Sequence, residues 1–167
     1  MLIAQTYKRA GDWEGDALSV TLDYEGRFLR RKKLTTDQGE AFVLDLEQTT
    51  SLDNGDAVEL ADGRLVEIKA APEAVLIVTG ENLARIGWHI GNRHTPCQIE
   101  ADRLLIQDDP VIAHMLSHVG ATCEKATLPF TPEGGAYGHG RTHSHEHGNS
   151  AHDHSHHHHD HGHDHAH

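Results

Sequence analysis

Residues 139–167 contain 14 of the chain's 18 histidines and no Leu, Ile, Val, Met or aromatic residue. A segment with nothing apolar to bury cannot offset the entropy of ordering itself, so it is expected to stay disordered until something binds it. That confines the folding part to residues 1–138 of 167. A cloning tag is the trivial explanation of such an ending. It accounts for the run His156-His157-His158-His159, but not for the histidines interspersed with Asp153, Ser155, Asp160, Gly162 and Asp164, nor for His139, His143, His145 and His147 upstream. The tract reads as native.

Net charge narrows the partners. The chain carries −12 with histidine neutral. The tail has four acidic residues against Arg141, or −3, which leaves −9 for the rest. A body this acidic argues against nucleic acid and against anionic membrane, both of which need a basic face. One exception is residues 27–33, Arg-Phe-Leu-Arg-Arg-Lys-Lys, with five of the 14 basic residues. It reads either as a strand edge kept from aggregating by charge or as a docking patch for an acidic protein surface. Two cysteines, Cys97 and Cys123, form no disulfide framework and no C-x-x-C. With no charged leader followed by an apolar run and no long apolar stretch, a cytoplasmic protein is expected.

The folding part changes grammar near residues 70–73. Upstream, residues 18–22 alternate in polarity, residues 41–46 are apolar after a break at Asp37-Gln38-Gly39, and residues 56–60 and 64–68 flank Asp62-Gly63, a two-residue hairpin signal. No helical period runs through residues 1–72, which are expected to be a small all-β module. Downstream, residues 74–79 read as a buried strand. Leu83, Ile86 and Ile90 recur at helical spacing, with Gly91 placed to close that helix as the residue after its cap. Residues 97–101 and 103–107 read as extended. Asp109 caps a second helix with Pro110 at its first position and a stripe of Val111, Ile112, Met115, Leu116 and Val119, stopped by Gly120. Residues 121–130 are a last strand. The predicted fold is α+β: the β module, then a ferredoxin-like βαββαβ domain over residues 73–138, then the histidine-rich tail over 139–167.

Histidine at this density points to transition metals. Neutral imidazole is a borderline ligand that suits nickel, zinc and copper, not magnesium or calcium. The tail sites, His139, His143, His145, His147, His152 and His154 first among them, suit collection more than catalysis, because a flexible chain gives many exchangeable and poorly selective sites. Protons compete for the same nitrogens, so capacity should fall steeply between about pH 7 and 5. Within the body only His89, His94, His114 and His118 remain. His114 and His118 are four apart, a spacing that can share an ion, yet they fall beside and opposite the apolar stripe, where polar residues are expected anyway. His89 sits next to Trp88 and reads as a packing residue. His94 follows the end of the first helix and precedes Thr95-Pro96, which presents an imidazole outward, although one histidine is not a site.

The stretch Trp88-His89-Ile90-Gly91-Asn92-Arg93-His94-Thr95-Pro96 resembles the signature of the UreE family of urease accessory proteins. Leu128-Pro129-Phe130-Thr131-Pro132-Glu133-Gly134-Gly135-Ala136-Tyr137-Gly138-His139-Gly140, running into a histidine tail, resembles the family at a second place. The resemblance implies a nickel metallochaperone with no turnover of its own. It implies a homodimer in which the two His94 residues meet across the two-fold axis on one Ni(II), with His139, His143 or His145 completing the shell, and with Zn(II) or Cu(II) able to occupy the same sites. It implies delivery to apo-urease through the accessory GTPase UreG and the accessory complex. Some relatives carry further histidines before the second helix. Here that place holds Gln107-Asp108-Asp109-Pro110, so auxiliary sites on the body are not expected. A passive nickel or zinc buffer is the alternative function. No G-x-S-x-G or H-E-x-x-H occurs, and a hydrolase built on His94 with Asp108 or Asp109 is a remote third.

Overall fold

A computed structural model describes residues 1–135 and Arg141. The tail histidines from His139 to His154 named above lie outside the described residues. No helix of the described residues is long and apolar enough to cross a membrane.

Residues 2–70 form a six-stranded mixed sheet from β1 (Leu2–Lys8), β2 (Leu18–Leu22), β3 (Phe28–Thr35), β4 (Ala41–Ser51), β5 (Ala57–Leu60) and β6 (Leu65–Ala70), in the order β2-β6-β5-β1-β4-β3. One turn of 3-10 helix, Glu25–Arg27, interrupts it. Alternation makes the core: Phe42, Leu44 and Leu46 on β4 and Val66 and Ile68 on β6 point to one face, where they meet Leu29, Leu34, Val58 and Leu60. Burying each of these side chains contributes roughly 1.5–3 kcal/mol.

Two sequence expectations need correction here. The hairpin between β5 and β6 is closed by the Leu60 amide on the Arg64 carbonyl at 2.8 Å, so its loop has three residues, Ala61, Asp62 and Gly63, not two. Gly63 takes φ +89°, the left-handed residue of a turn followed by a bulge. And β1, which the pattern did not reveal, lies inside the sheet between β4 and β5. Only Ala4 of its seven residues is buried. Its place rests on backbone pairing, parallel to β4 and antiparallel to β5, which leaves no alternation to read.

The second unit is β7 (Pro72–Thr79), α1 (Leu83–Asn92), β8 (Gln98–Ile99), β9 (Leu104–Gln107), α2 (Pro110–Ser117) and β10 (Thr122–Pro129), with sheet order β10-β7-β9-β8 and every pair antiparallel. This is the ferredoxin-like order, the third strand lying between the first two. Both helices cover one face, where Ile86 and Ile90 of α1 and Ile112 and Leu116 of α2 meet Leu76, Val78, Leu104 and Ile106. The Asp109 carboxylate caps α2, accepting from the amides of Val111 and Ile112 at 2.9 and 3.3 Å. Gly120, φ +81°, ends it as expected.

The opposite face of this sheet is closed by the first unit. Val75 and Leu105 pack with Phe130 and with Tyr24, whose ring meets Phe130 edge-on at 5.5 Å between centroids. Arg27 reaches across the same junction and is buried there. Its guanidinium donates to the carbonyls of Leu22 at 3.1 Å and Phe130 at 2.6 Å.

Candidate metal centre

The first helix ends in an unexpected way, and that end builds the candidate site. Gly91 does not close it. The helix runs on through Asn92 and is capped at Arg93. The left-handed residue that follows the cap is His94, φ +54°, the one non-glycine with positive φ among the described residues. Two hydrogen bonds define the motif: the His94 amide donates to the Gly91 carbonyl at 3.0 Å, and the Thr95 amide donates to the Ile90 carbonyl at 3.3 Å. That pair, crossing a left-handed residue, is a Schellman cap, and its left-handed position usually belongs to glycine. A side chain there costs roughly 1–2 kcal/mol. The chain accepts that strain at an exposed histidine, which is where a functional residue on a strained turn is to be looked for.

Thr95 and Pro96 then lead into β8, and the segment after β10 folds back on this edge: the Glu133 amide donates to the Cys97 carbonyl at 2.9 Å, and the Thr131 amide to the Gln98 side chain at 2.8 Å. Leu83, Gly87 and Gly91 of α1 face Pro96, Cys97 and Leu104 across an apolar groove of about 420 Å³. Trp88 and Ile99 are 62% and 61% exposed. His94 thus stands beside apolar surface that the described residues leave uncovered.

The other histidines separate. His89 is half-buried and meets the Trp88 ring edge-on at 5.1 Å, as a packing residue does. His114 and His118 are both exposed on α2, with their Nε2 atoms 3.3 Å apart. Among the described residues no three His, Cys, Asp or Glu side chains gather around a common point where a metal ion could sit. Asp109 is engaged in capping, and Asp108 lies 3.9 Å from the Lys125 ammonium. Burial pushes the Cys97 thiol up to about 11, helped by Glu133, and also raises Cys123, so neither is poised as a thiolate.

The basic stretch splits in two. Arg30, Arg31, Lys32 and Lys33 are exposed on β3, the outer strand of its sheet, where cationic side chains discourage edge-to-edge pairing. Arg27 is not among them; it is buried at the domain junction, where desolvation lowers its pKa. Arg141 was not foreseen as a contact residue either. Its guanidinium lies over the Tyr24 ring at 3.7 Å and the Phe28 ring at 4.7 Å, donates to Ser51 Oγ at 3.0 Å, and donates to the Tyr24 carbonyl. Arg141 is therefore tied to the first unit.

A β module joined to a ferredoxin-like domain, with His94, His114 and His118 exposed on the second, defines a two-domain protein whose body carries imidazoles at its surface. Residues 2–71 match the family model for the UreE urease accessory protein N-terminal domain, and residues 73–167 match the model for its C-terminal domain. A urease accessory protein UreE of Ruegeria pomeroyi is 62% identical over 135 residues, covering 81% of this chain and 91% of that protein. One from Cereibacter sphaeroides is 60% identical over 140 residues, covering 83% and 76%. One from Rhodobacter capsulatus is 56% identical over 133 residues, covering 80% and 85%. The chain belongs to the UreE family of urease accessory proteins.

Proposed function

We propose that this protein gathers Ni(II) and passes it to apo-urease during urease maturation, without turnover of its own. The observation that carries the reading is His94: an exposed imidazole held on a left-handed cap residue where glycine would be less strained. One imidazole cannot hold an ion, and no three-donor cluster accompanies it among the described residues. Two-fold association removes the difficulty, because symmetry turns one residue into a pair. Trp88, Ile99 and the apolar groove beside His94 supply the kind of surface that such association would cover.

In this reading the two His94 rings of a homodimer share one nickel, and a tail histidine from His139, His143 or His145 joins the shell. The rest of the tail, His147, His152 and His154 included, raises the local supply, because tethered ligands recapture an ion before it escapes. Zn(II) or Cu(II) can take the same nitrogens, so selectivity comes from geometry and supply, not raw affinity. Release proceeds one ligand at a time to the accessory GTPase UreG and the apo-urease complex, in the cytoplasm. The first domain is the partner-binding one, with Arg30, Arg31, Lys32 and Lys33 as a docking patch for an acidic surface.

The test is urease activation with wild-type protein, His94→Asn, and a chain ending after Tyr137. Loss of His94 should abolish delivery at limiting nickel. Loss of the tail should lower the number of bound ions more than it lowers activation at ample nickel. Indifference to both would leave the passive buffer as the better account.

A further inference from the structure

We propose that His114 and His118 form a second divalent-metal site on α2, separate from His94 and suited to zinc. The two Nε2 atoms face each other at 3.3 Å. Metal–imidazole bonds are about 2.0–2.1 Å, so an ion bonded to both nitrogens at that separation subtends roughly 105–110°, the tetrahedral angle that four-coordinate Zn(II) adopts. An octahedral ion, with ligands at 90°, would require the nitrogens to close to about 3.0 Å. The two nitrogens stand at the separation a tetrahedral cation would bridge, on rings set at 89° to each other.

In the absence of metal the contact is a ring-to-ring hydrogen bond, one imidazole N–H donating to the other ring's bare nitrogen at 3.3 Å. A divalent ion would replace that shared proton between the same two atoms. The place also favours a cation. His114 lies in the last turn of α2 and His118 is its C-cap, at the negative end of the helix dipole. Both side chains are exposed, so water can complete the shell. The expectation that the body carries no auxiliary site rested on the residues before α2; this pair lies at the helix's other end.

It is not an extension of the His94 centre. A Cβ built on Gly80, which precedes α1, would come within 3.1 Å of the Gly120 carbonyl, so the C-terminal end of α2 lies beside the start of α1. His94 follows the far end of that ten-residue helix, about 15 Å away.

The experiment is a ZnCl₂ titration of the full chain, carried to excess over all its histidines and read by the ring signals of His114 and His118 and by amide exchange in α2. The wild-type protein should show both rings shifting together and α2 amides exchanging more slowly. His118→Gln should remove the His114 shift, His114→Gln should remove the His118 shift, and His94→Asn should leave both. Because both residues are exposed, the metal-free spectra of the variants should match wild type elsewhere. Rings that stay unmoved at excess zinc, or a His114 shift that survives His118→Gln, would overturn the site while leaving the nickel-delivery reading untouched.

Discussion

The guanidinium of Arg27 donates to the carbonyl of Phe130 at 2.6 Å, joining residues 103 apart in sequence and fastening the residue that follows the last strand of the second domain to the first domain. The same side chain serves the Leu22 carbonyl, and its Nε is buried with no partner among the described residues. Replacing Arg27 by Leu leaves the Phe130 carbonyl without its donor, whereas the Leu22 carbonyl keeps the Ala71 amide at 2.8 Å. A buried unsatisfied group costs about 1–3 kcal/mol. We expect Arg27→Leu to lose about 1–3 kcal/mol in denaturant unfolding, or to split one transition into two as the domains uncouple.

His94 should be removable without harm to the fold. Glycine at that position relieves the left-handed strain of roughly 1–2 kcal/mol, and its extra freedom in the unfolded chain takes back about 0.4–1 kcal/mol. His94→Gly should therefore melt at or slightly above the wild-type temperature while failing to deliver nickel. His94→Val, with a branched Cβ forced to φ near +54°, should melt several degrees lower. Thermal unfolding of both variants separates the residue's backbone cost from its chemistry.

Asp109 holds the start of α2 through two amide hydrogen bonds. Asp109→Ala should cost about 1 kcal/mol and Asp109→Asn much less, because an amide oxygen still accepts. The helical signal of α2, followed by amide exchange, should weaken in the first variant and persist in the second. If Asp109 were instead a metal ligand, zinc would protect the wild type and not Asp109→Asn.

Asp56 is 1% exposed and receives Arg9 Nη1 at 2.8 Å together with the amides of Ala10 and Asp53 at 2.9 and 2.8 Å. Removing the carboxylate strands a half-buried guanidinium and two amides. Asp56→Ala should cost about 3–5 kcal/mol, seen as a large drop in the denaturant midpoint. Asp53 and Ser51 lie within reach of Arg9 and will soften the loss.

The Cys97 thiol, pushed up to about 11 by burial, should resist alkylation. A raised thiol pKa keeps the neutral form, so at pH 8 only about one thiol in a thousand is thiolate, against roughly one in four for a free cysteine. Iodoacetamide at pH 8 should label Cys97 far more slowly in native protein than in denaturant, with native labelling rising as pH approaches 11. Fast native labelling at pH 8 would contradict the packed position against Glu133 and Pro96.

Much of the second domain was readable because its elements are amphipathic and capped by residues with one physical job. Asp109, Pro110 and Gly120 bracket α2 as their side chains and torsions require, and Leu76 and Val78 on β7 face the helices while Val75 faces away. The β1 strand escaped because its stability lies in main-chain pairing, which has no side-chain signature. The helix end at His94 escaped for a different reason. Gly91 is the residue that ordinarily takes positive φ, and local propensity alone assigns it that place; the structure gives the place to His94, three residues later.

The order of the amino acids alone settles which residues can bury a core, where the grammar changes from strand to mixed strand and helix, and that imidazole is the donor in supply. Those are local or compositional properties, carried by period, caps and counts. The folded chain was needed to show that Arg27 leaves the basic stretch for the domain junction and that Arg141 stacks on Tyr24 across 117 residues. Both contacts join residues far apart along the chain, so neither leaves a periodic trace in the order of the amino acids. The four-residue spacing of His114 and His118 is such a trace, but the approach of their Nε2 atoms to 3.3 Å depends on rotamers that spacing does not set.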